Sequence, residues 1–380
     1  MKYRKFGNLT EDVSILGLGV SQLPQANAAE FDASVSLIRQ AIDGGINYLD
    51  LGPTDHFRQY DRIGELLRTA LQDGYREKVT LAAHQSVAAI DSASDVIKNL
   101  DRQLQWTHVQ HFDCYFLDGL QRDAWTVLQR KGALDYVETA LKEDRIGSLG
   151  FSFRDQQQYL RKILEEYGNW DLCQFQYNYM EVDRNPGING IRYAVEQGLG
   201  IVVAEPLRGG MLIHQPPESV AEIWAGAGYE RSLVEWSLRW LWNHPEISTV
   251  VCDMKTPEQL QENLALAGTV EANSLSIREQ ILINEVRDAY RTLRPIPCNT
   301  CRTCMPCPKD IDVPRILELY NESVMYDDSG AIQEIYRNEE HDLSECDECG
   351  TCVENCGRMV AILDWLQQAK ELFEDRDTDT

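Results

Sequence analysis

VSLIRQAIDGGINYLDLG, residues 35–52, joins two patterns that rarely meet outside one kind of architecture. Residues 35–42 repeat apolar side chains at helical spacing, and Gly44-Gly45 supplies the stop that ends such a helix. Residues 46–52 then run apolar almost throughout, as a strand buried on both faces does. The alternation continues in both directions. Similar runs occur at 14–19 (SILGLG), 79–85 (VTLAAHQ), 112–118 (FDCYFLD), 148–153 (SLGFSF), 172–178 (LCQFQYN), 200–207 (GIVVAEPL) and 247–253 (ISTVVCD). Eight strands alternating with helices over about 250 residues predict an α/β chain folded as a (β/α)8, or TIM, barrel. The polar residues closing the strands, Asp50, His84, Asp118 and Gln174, then share the catalytic face.

A different pattern fills the remainder. Eight of the eleven cysteines fall in two tight runs, Cys298, Cys301, Cys304, Cys307 and Cys346, Cys349, Cys352, Cys356. Thiolates at three-residue steps wrap a loop around a small inorganic core, and the second run has bacterial ferredoxin spacing. Eight thiolates are what two 4Fe–4S clusters require. Disulfides fit poorly, because the chain is long, its cysteine count is odd, and MKYRKFGNLTEDVSIL lacks the apolar core of a secretory signal. Zinc ribbons also use Cys-x2-Cys knuckles, two per site. In helical double-cluster modules three cysteines of one run join the last of the other. That groups Cys298, Cys301 and Cys304 with Cys356, and Cys346, Cys349 and Cys352 with Cys307. Two details depart from the usual spacing: only two residues precede Cys307, and Gly357 stands where proline is usual.

The expected division is a barrel over residues 1–291 and a small, mainly helical ferredoxin-like iron–sulfur domain over 292–380, with residues 292–297 (TLRPIP) as the linker. Asp312-Val313-Pro314 starts a helix with Ile316, Leu317 and Tyr320 on one face. Residues 359–373 repeat apolar side chains from Met359 to Phe373 at helical spacing, and residues 371–380 read as a frayed acidic end. A net charge of −25 argues against nucleic acid and anionic membrane surfaces as partners. No apolar run approaches the ~20 residues that span a bilayer, so the cytoplasm is the expected location.

The segments YRKFGNLTEDVSILGLG, AIDGGINYLD, GFSF, CQFQYNYM, AEPLRGGML, LRWLWNHPEIST and EQLQEN, taken with both cysteine motifs, resemble the aldo-keto reductase superfamily. The resemblance is to its subgroup with a C-terminal double 4Fe–4S domain, and it covers nearly the whole chain. It implies an extended nicotinamide dinucleotide across the barrel mouth and reduction of a carbonyl substrate. The family's chemistry uses a Tyr proton donor, a Lys paired with an Asp, and a His. Here Asp50 matches the Asp, but His84 holds the Lys position and Asp118 the His position. The Tyr position falls near Asp55-His56, with Tyr60 a few residues on. Asp50, His84, Asp118 and His56 are therefore the candidate catalytic set. A His between two carboxylates is held protonated and acts as acid or base, or binds a metal.

By the same resemblance, Gln174 faces the nicotinamide carboxamide and Ser152 matches the fifth-strand serine, followed by Phe153 where many members carry Asn. Pro206, Leu207, Arg208, Gly209 and Gly210 match the pyrophosphate loop, and Glu262 and Asn263 the adenine-side pair. Asp253 and Gln259 stand at cationic positions that grip a 2′-phosphate in many members, which argues against NADP. Hydride carries two electrons, whereas each cluster takes one, and no flavin fingerprint bridges them. Two functions stay open. One is an iron–sulfur oxidoreductase passing electrons between its clusters, an electron donor or acceptor protein, and a small-molecule substrate or cofactor at the mouth. The other is a non-catalytic electron carrier or redox-responsive binding protein using the barrel as a docking scaffold.

Overall fold

Short strands with nearly every side chain buried can be satisfied only by neighbours on both edges and cover on both faces. In the computed structural model, which describes residues 1–52, 60–183 and 186–374, that requirement closes the sheet on itself. An antiparallel pair, β1 (Tyr3–Lys5) and β2 (Asp12–Ser14), precedes the barrel. The barrel strands are β3 (Leu16–Gly19), β4 (Tyr48–Asp50), β5 (Thr80–Ser86), β6 (Phe112–Asp118), β7 (Ile146–Phe153), β8 (Leu172–Gln176), β9 (Gly200–Ala204) and β10 (Thr249–Cys252). All run parallel in sequence order, and β10 closes against β3. Each of the eight runs read from the sequence overlaps one barrel strand. The helix Ala28–Asp43 ends at Gly44, as the Gly-Gly signal predicts.

The β1–β2 hairpin escaped the sequence reading. It closes the end of the barrel where the strands begin, with Phe6, Leu9 and Val13 packed on Tyr48, Cys114, Phe116, Leu172 and Val202. Asn8 N donates to Gly198 O at 3.0 Å, and Ser14 N donates to Asn47 Oδ1 at 2.7 Å. Gly7 is required here: its φ is +61°, and a Cβ would lie 2.2 Å from Gly200 N.

The chain divides into two compact units, Met1–Gly209 with Arg231–Ser276, and Gly210–Glu230 with Ile277–Thr380. In the second, the helices Val313–Met325, Ser329–Asn338 and Ile362–Phe373 pack against one another. Asp312 caps the first of these by accepting from Arg315 N, and Ile316 and Leu317 are buried on it, as expected. Asn321 ties the preceding segment to the same helix. It accepts from Ile296 N at 2.9 Å and donates to Ile296 O at 3.1 Å.

Two expectations are corrected. The last helix begins at Ile362, not at Met359, which is 91% exposed and left-handed at φ 53°. Met359 N donates to Cys356 O, so the cysteine loop completes a turn before the helix can start. The acidic end does not begin at residue 371 either. The helix continues to Phe373, whose ring is buried and stacks on Tyr336 at 5.0 Å.

Candidate functional site

Strand ends in a parallel barrel place their final side chains around one mouth. Asp50 ends β4, His84 lies near the end of β5, and Asp118 ends β6, so three consecutive strands contribute one residue each. His84 is fully buried, with Nε2 2.9 Å from Asp50 Oδ1 and Nδ1 3.6 Å from Asp118 Oδ1. Neither contact has the in-line geometry of a hydrogen bond, so the ring is held by charge rather than by aligned N–H donors. Phe116 stacks on the imidazole at 4.9 Å. Asp50 is itself fixed: it accepts from Gly52 N at 2.7 Å and from Gln174 Nε2 at 3.2 Å.

Burial alone would discharge His84. The charges of Asp50 and Asp118 overcome that, and the imidazole is pushed up to about 10 from its ordinary 6.5. The ring is therefore a permanent cation at neutral pH, the role that the resemblance assigns to Lys at this position. The two carboxylates differ in access, Asp50 being 4% exposed and Asp118 21%, so the trio runs from interior to mouth. Among the described residues, no group of three or more His, Cys, Asp or Glu side chains forms a metal-holding arrangement. His56 and Asp55 lie outside the described residues. Tyr48 went unnoticed in the sequence, although Tyr48 and Asp50, two apart on one strand, share a face. It cannot replace the missing tyrosine, because its hydroxyl is fully buried and is raised well above 10 by burial, Asp50 and Cys114.

The remaining predicted positions separate. Ser152 Oγ accepts from Gly119 N at 2.8 Å, and Phe153 is buried. Glu262 accepts from Ser232 Oγ at 2.8 Å, whereas Asn263 Oδ1 is buried with no hydrogen-bond partner, an open acceptor. The loop after β9 is different. Pro206 is buried, and Leu207 and Arg208 are half-buried. Arg208 turns toward Glu181 at 3.9 Å, and Gly209 N donates to Glu205 Oε2 at 2.7 Å. Glu205 is the residue that sequence reading missed; its signal was an acid directly after a strand, ahead of Pro-Leu-Arg-Gly-Gly.

Asp253, just past β10, lies over Gly19, where any Cβ would meet Oδ1 at 2.0 Å. Its carboxyl stays open to solvent, yet crowding by surrounding protein, then Glu205 and Asp50, push it up to about 6. A carboxylate already holds the amide that a pyrophosphate would need, and a second stands close by. As arranged, these residues do not fit a dinucleotide, even though the adenine-side acceptor is open. The double substitution Glu205→Gln with Asp253→Asn is expected to raise NADPH affinity by roughly tenfold in a fluorescence titration. In the parent, affinity should rise as pH falls through about 6, because protonating Asp253 removes a repelling charge. Equal affinities for parent and variant would refute this.

Residues 15–279 match the Aldo/keto reductase family. The chain belongs to that family. This aldo-keto reductase is 25% identical over 302 residues to L-galactose dehydrogenase of Arabidopsis thaliana, a match covering 74% of the chain and 92% of the relative. Among solved structures it resembles the holo form of aldo-keto reductase AKR11C1 from Bacillus halodurans, with a TM-score of 0.60 and 19% identity. That likeness covers 75% of this chain and 96% of the other. An aldo-keto reductase from Klebsiella pneumoniae in complex with NADPH gives a TM-score of 0.61 at 18% identity, covering 75% and 95%. These structures share the barrel fold. The chain is thus an aldo-keto reductase-type oxidoreductase built on an eight-stranded parallel barrel.

The family match ends before the cysteine runs. None of the eleven cysteines forms a disulfide. Cys307 lines one small cavity with Cys346, Cys349 and Cys352, together with Ile311, Val313, Leu363 and Leu366. Cys298 is raised by burial and by the nearby Cys301 and Cys356 thiols, and Cys352 by burial and by Cys346 and Cys307. Cys304, also raised by burial, to about 11, has Cys298, Cys301 and Cys352 beside it. Among the described residues no helix is long and apolar enough to cross a membrane.

Proposed function

We propose that this chain is an iron–sulfur oxidoreductase of aldo-keto reductase type. It carries two 4Fe–4S clusters in a small, mainly helical ferredoxin-like domain and acts on a small molecule at the barrel mouth. One observation carries the reading: a cysteine of the first run, Cys307, lines a cavity with three cysteines of the second. Buried thiols that raise one another are unfavourable as a bare cluster of anions, and an iron centre offsets that cost by taking them as thiolates. A cube of irons also spaces its ligands more widely than one ion does, so the lack of a single-ion arrangement among the described residues is compatible with it. Cys298, Cys301, Cys304 and Cys356 would hold one cluster, and Cys307, Cys346, Cys349 and Cys352 the other. When bound, such clusters supply or accept single electrons.

The barrel residues handle protons. His84, charged and poised near the ordinary acidity of a phenol but fully buried, passes a ring proton to Asp118, which hands it to an oxygen that gains negative charge at the mouth. Asp118, the more open carboxylate, faces the same ring and takes the returning proton from solvent. Asp50, locked by Gly52 and Gln174, fixes the imidazole and does not move. The electrons come from or go to a one-electron partner protein, and the cytoplasm suits exposed cluster cysteines. Anaerobic purification followed by iron and sulfide analysis is expected to give about eight of each per chain. The visible cluster absorbance should bleach with a one-electron reductant. Absence of both elements would end the cluster reading.

A further inference from the structure

The ring of strand ends around the mouth is unevenly charged. Strands β9 and β10 are neighbours, and the residues just past them are Glu205 and Asp253. The next strand round, β3, ends in Gly19, which is in register with Asp50 at the end of β4. The missing side chain makes room, because the Asp253 carboxylate lies where a Cβ of residue 19 would stand. Glu205 is fixed by the Gly209 amide at 2.7 Å. Carboxylates from β4, β9 and β10 thus fall on one arc of the mouth.

The cations at this end of the barrel do not balance them. His84 lies between Asp50 and Asp118, two negative charges to its one. Arg208 stands 3.9 Å from Glu181, and Arg154, just past β7, is three strands from β10 around the ring. Lys255 acts on Asp253, but less strongly than Glu205 or Asp50 does. Among the described residues, no hydrogen bond or ion pair reaches the Asp253 carboxylate. A neutral acceptor at the same end is also without a donor. Gln25, on the loop leaving β3, is 9% exposed, and its Oε1 is buried with no hydrogen-bond partner. An unpaired carboxylate and a buried acceptor are both unfavourable, and a ligand bringing positive charge and N–H donors relieves both.

We propose that the mouth selects a cationic small molecule, an organic ammonium whose positive end rests against Asp253 and Glu205 over Gly19 while its reacting oxygen meets Asp118. The class follows from charge and donor chemistry together. An ammonium carries a full positive charge and several N–H donors, which serve both the Asp253 carboxylate and an acceptor such as Gln25 Oε1. A substrate carboxylate or phosphate in the same place meets Glu205 and Asp253 as like charges. A bare metal ion suits the place less well, since no three ligating side chains gather among the described residues. A cleft lined by one sign of charge also draws the opposite sign toward it. Asp253 and Glu205 are exposed, so the preference narrows at high salt.

This rests on the reading of the mouth as the small-molecule site, and the test separates the two. Aminoacetone, hydroxyacetone and pyruvate, ketones of matched size and different charge, are titrated into the full chain by calorimetry at low salt. The cation is expected to bind roughly tenfold more tightly than the neutral ketone, and the anion more weakly than either. Glu205→Gln with Asp253→Asn should erase that order. Glu143→Gln with Asp144→Asn removes the same charge from exposed positions where the strands begin, and should leave the order intact. Equal binding of the three ketones by the parent overturns the proposal but leaves the mouth reading standing. Persistence of the order in the Glu205 and Asp253 variant overturns it too. Loss of the order in the remote variant does the same, because the net charge of −25 would then be its cause. If none of the three binds, the mouth reading itself fails, and this proposal with it.

Discussion

His84→Gln is expected to cost about 3–5 kcal/mol of stability near neutral pH, read as a lowered urea midpoint. The size comes from what the substitution leaves behind. Asp50 is 4% exposed, and its two amide donors, Gly52 N and Gln174 Nε2, do not replace a full positive charge 2.9 Å away. A buried carboxylate stripped of its cation carries its desolvation cost uncompensated. The pH dependence identifies the cause. His84 binds its proton up to about 10 in the folded chain, against the ordinary 6.5 when unfolded. A raised value means that the contribution is complete below about 6.5 and is lost as pH rises through about 10. The parent should therefore weaken across that interval, and His84→Gln should lack that part of the decline. His84→Lys keeps the cation while giving up the stacking on Phe116. It should recover much of the loss, whereas recovery by His84→Phe instead would show that shape, not charge, is what the site needs.

Which parts of this were legible in the chain follows from how local each signal is. Strand runs such as Phe112–Asp118 announce themselves, because burial on both faces demands apolar residues in sequence. The cap at Asp312 is equally local, a side chain serving an amide three residues on. Even the meeting of Asp50, His84 and Asp118 was legible, since adjacent strand ends share a mouth. Other features depend on contacts that no window contains. The β1–β2 hairpin has strands of three residues, too short for any periodicity, and is held by Gly198 and Asn47 far along the chain. Met359 fits the apolar repeat of the last helix, yet the turn that finishes the cysteine loop claims it first. Glu205 was signalled only by its place directly after a strand, ahead of Pro-Leu-Arg-Gly-Gly. Its meaning appeared only when its carboxylate was found on the Gly209 amide, with Asp253 and Asp50 within electrostatic reach.

Cys307→Ala is expected to remove one centre and spare the other, although Cys307 belongs to the run that supplies most ligands of the centre it spares. The argument is geometric. Cys307 lines a cavity with Cys346, Cys349 and Cys352, and the Cys352 thiol is influenced by Cys307 and Cys346. The Cys298 thiol is influenced instead by Cys301 and Cys356, across the same exchange. On the proposed reading each run gives three cysteines to one group and its last cysteine to the other, the arrangement the spacing predicts. Iron analysis of Cys307→Ala and of Cys356→Ala should each show roughly half the parent content, because a four-thiolate centre lacking one ligand is poorly retained. The two variants should also lose different resonance signals. The signal that survives in Cys307→Ala should match the one missing from Cys356→Ala. If each run instead held its own centre, Cys307→Ala would lose the signal that depends on Cys298 and Cys301, and Cys298→Ala would reproduce its spectrum. Under the crossed arrangement Cys298→Ala should reproduce Cys356→Ala, so the comparison of these three spectra decides between the two pairings.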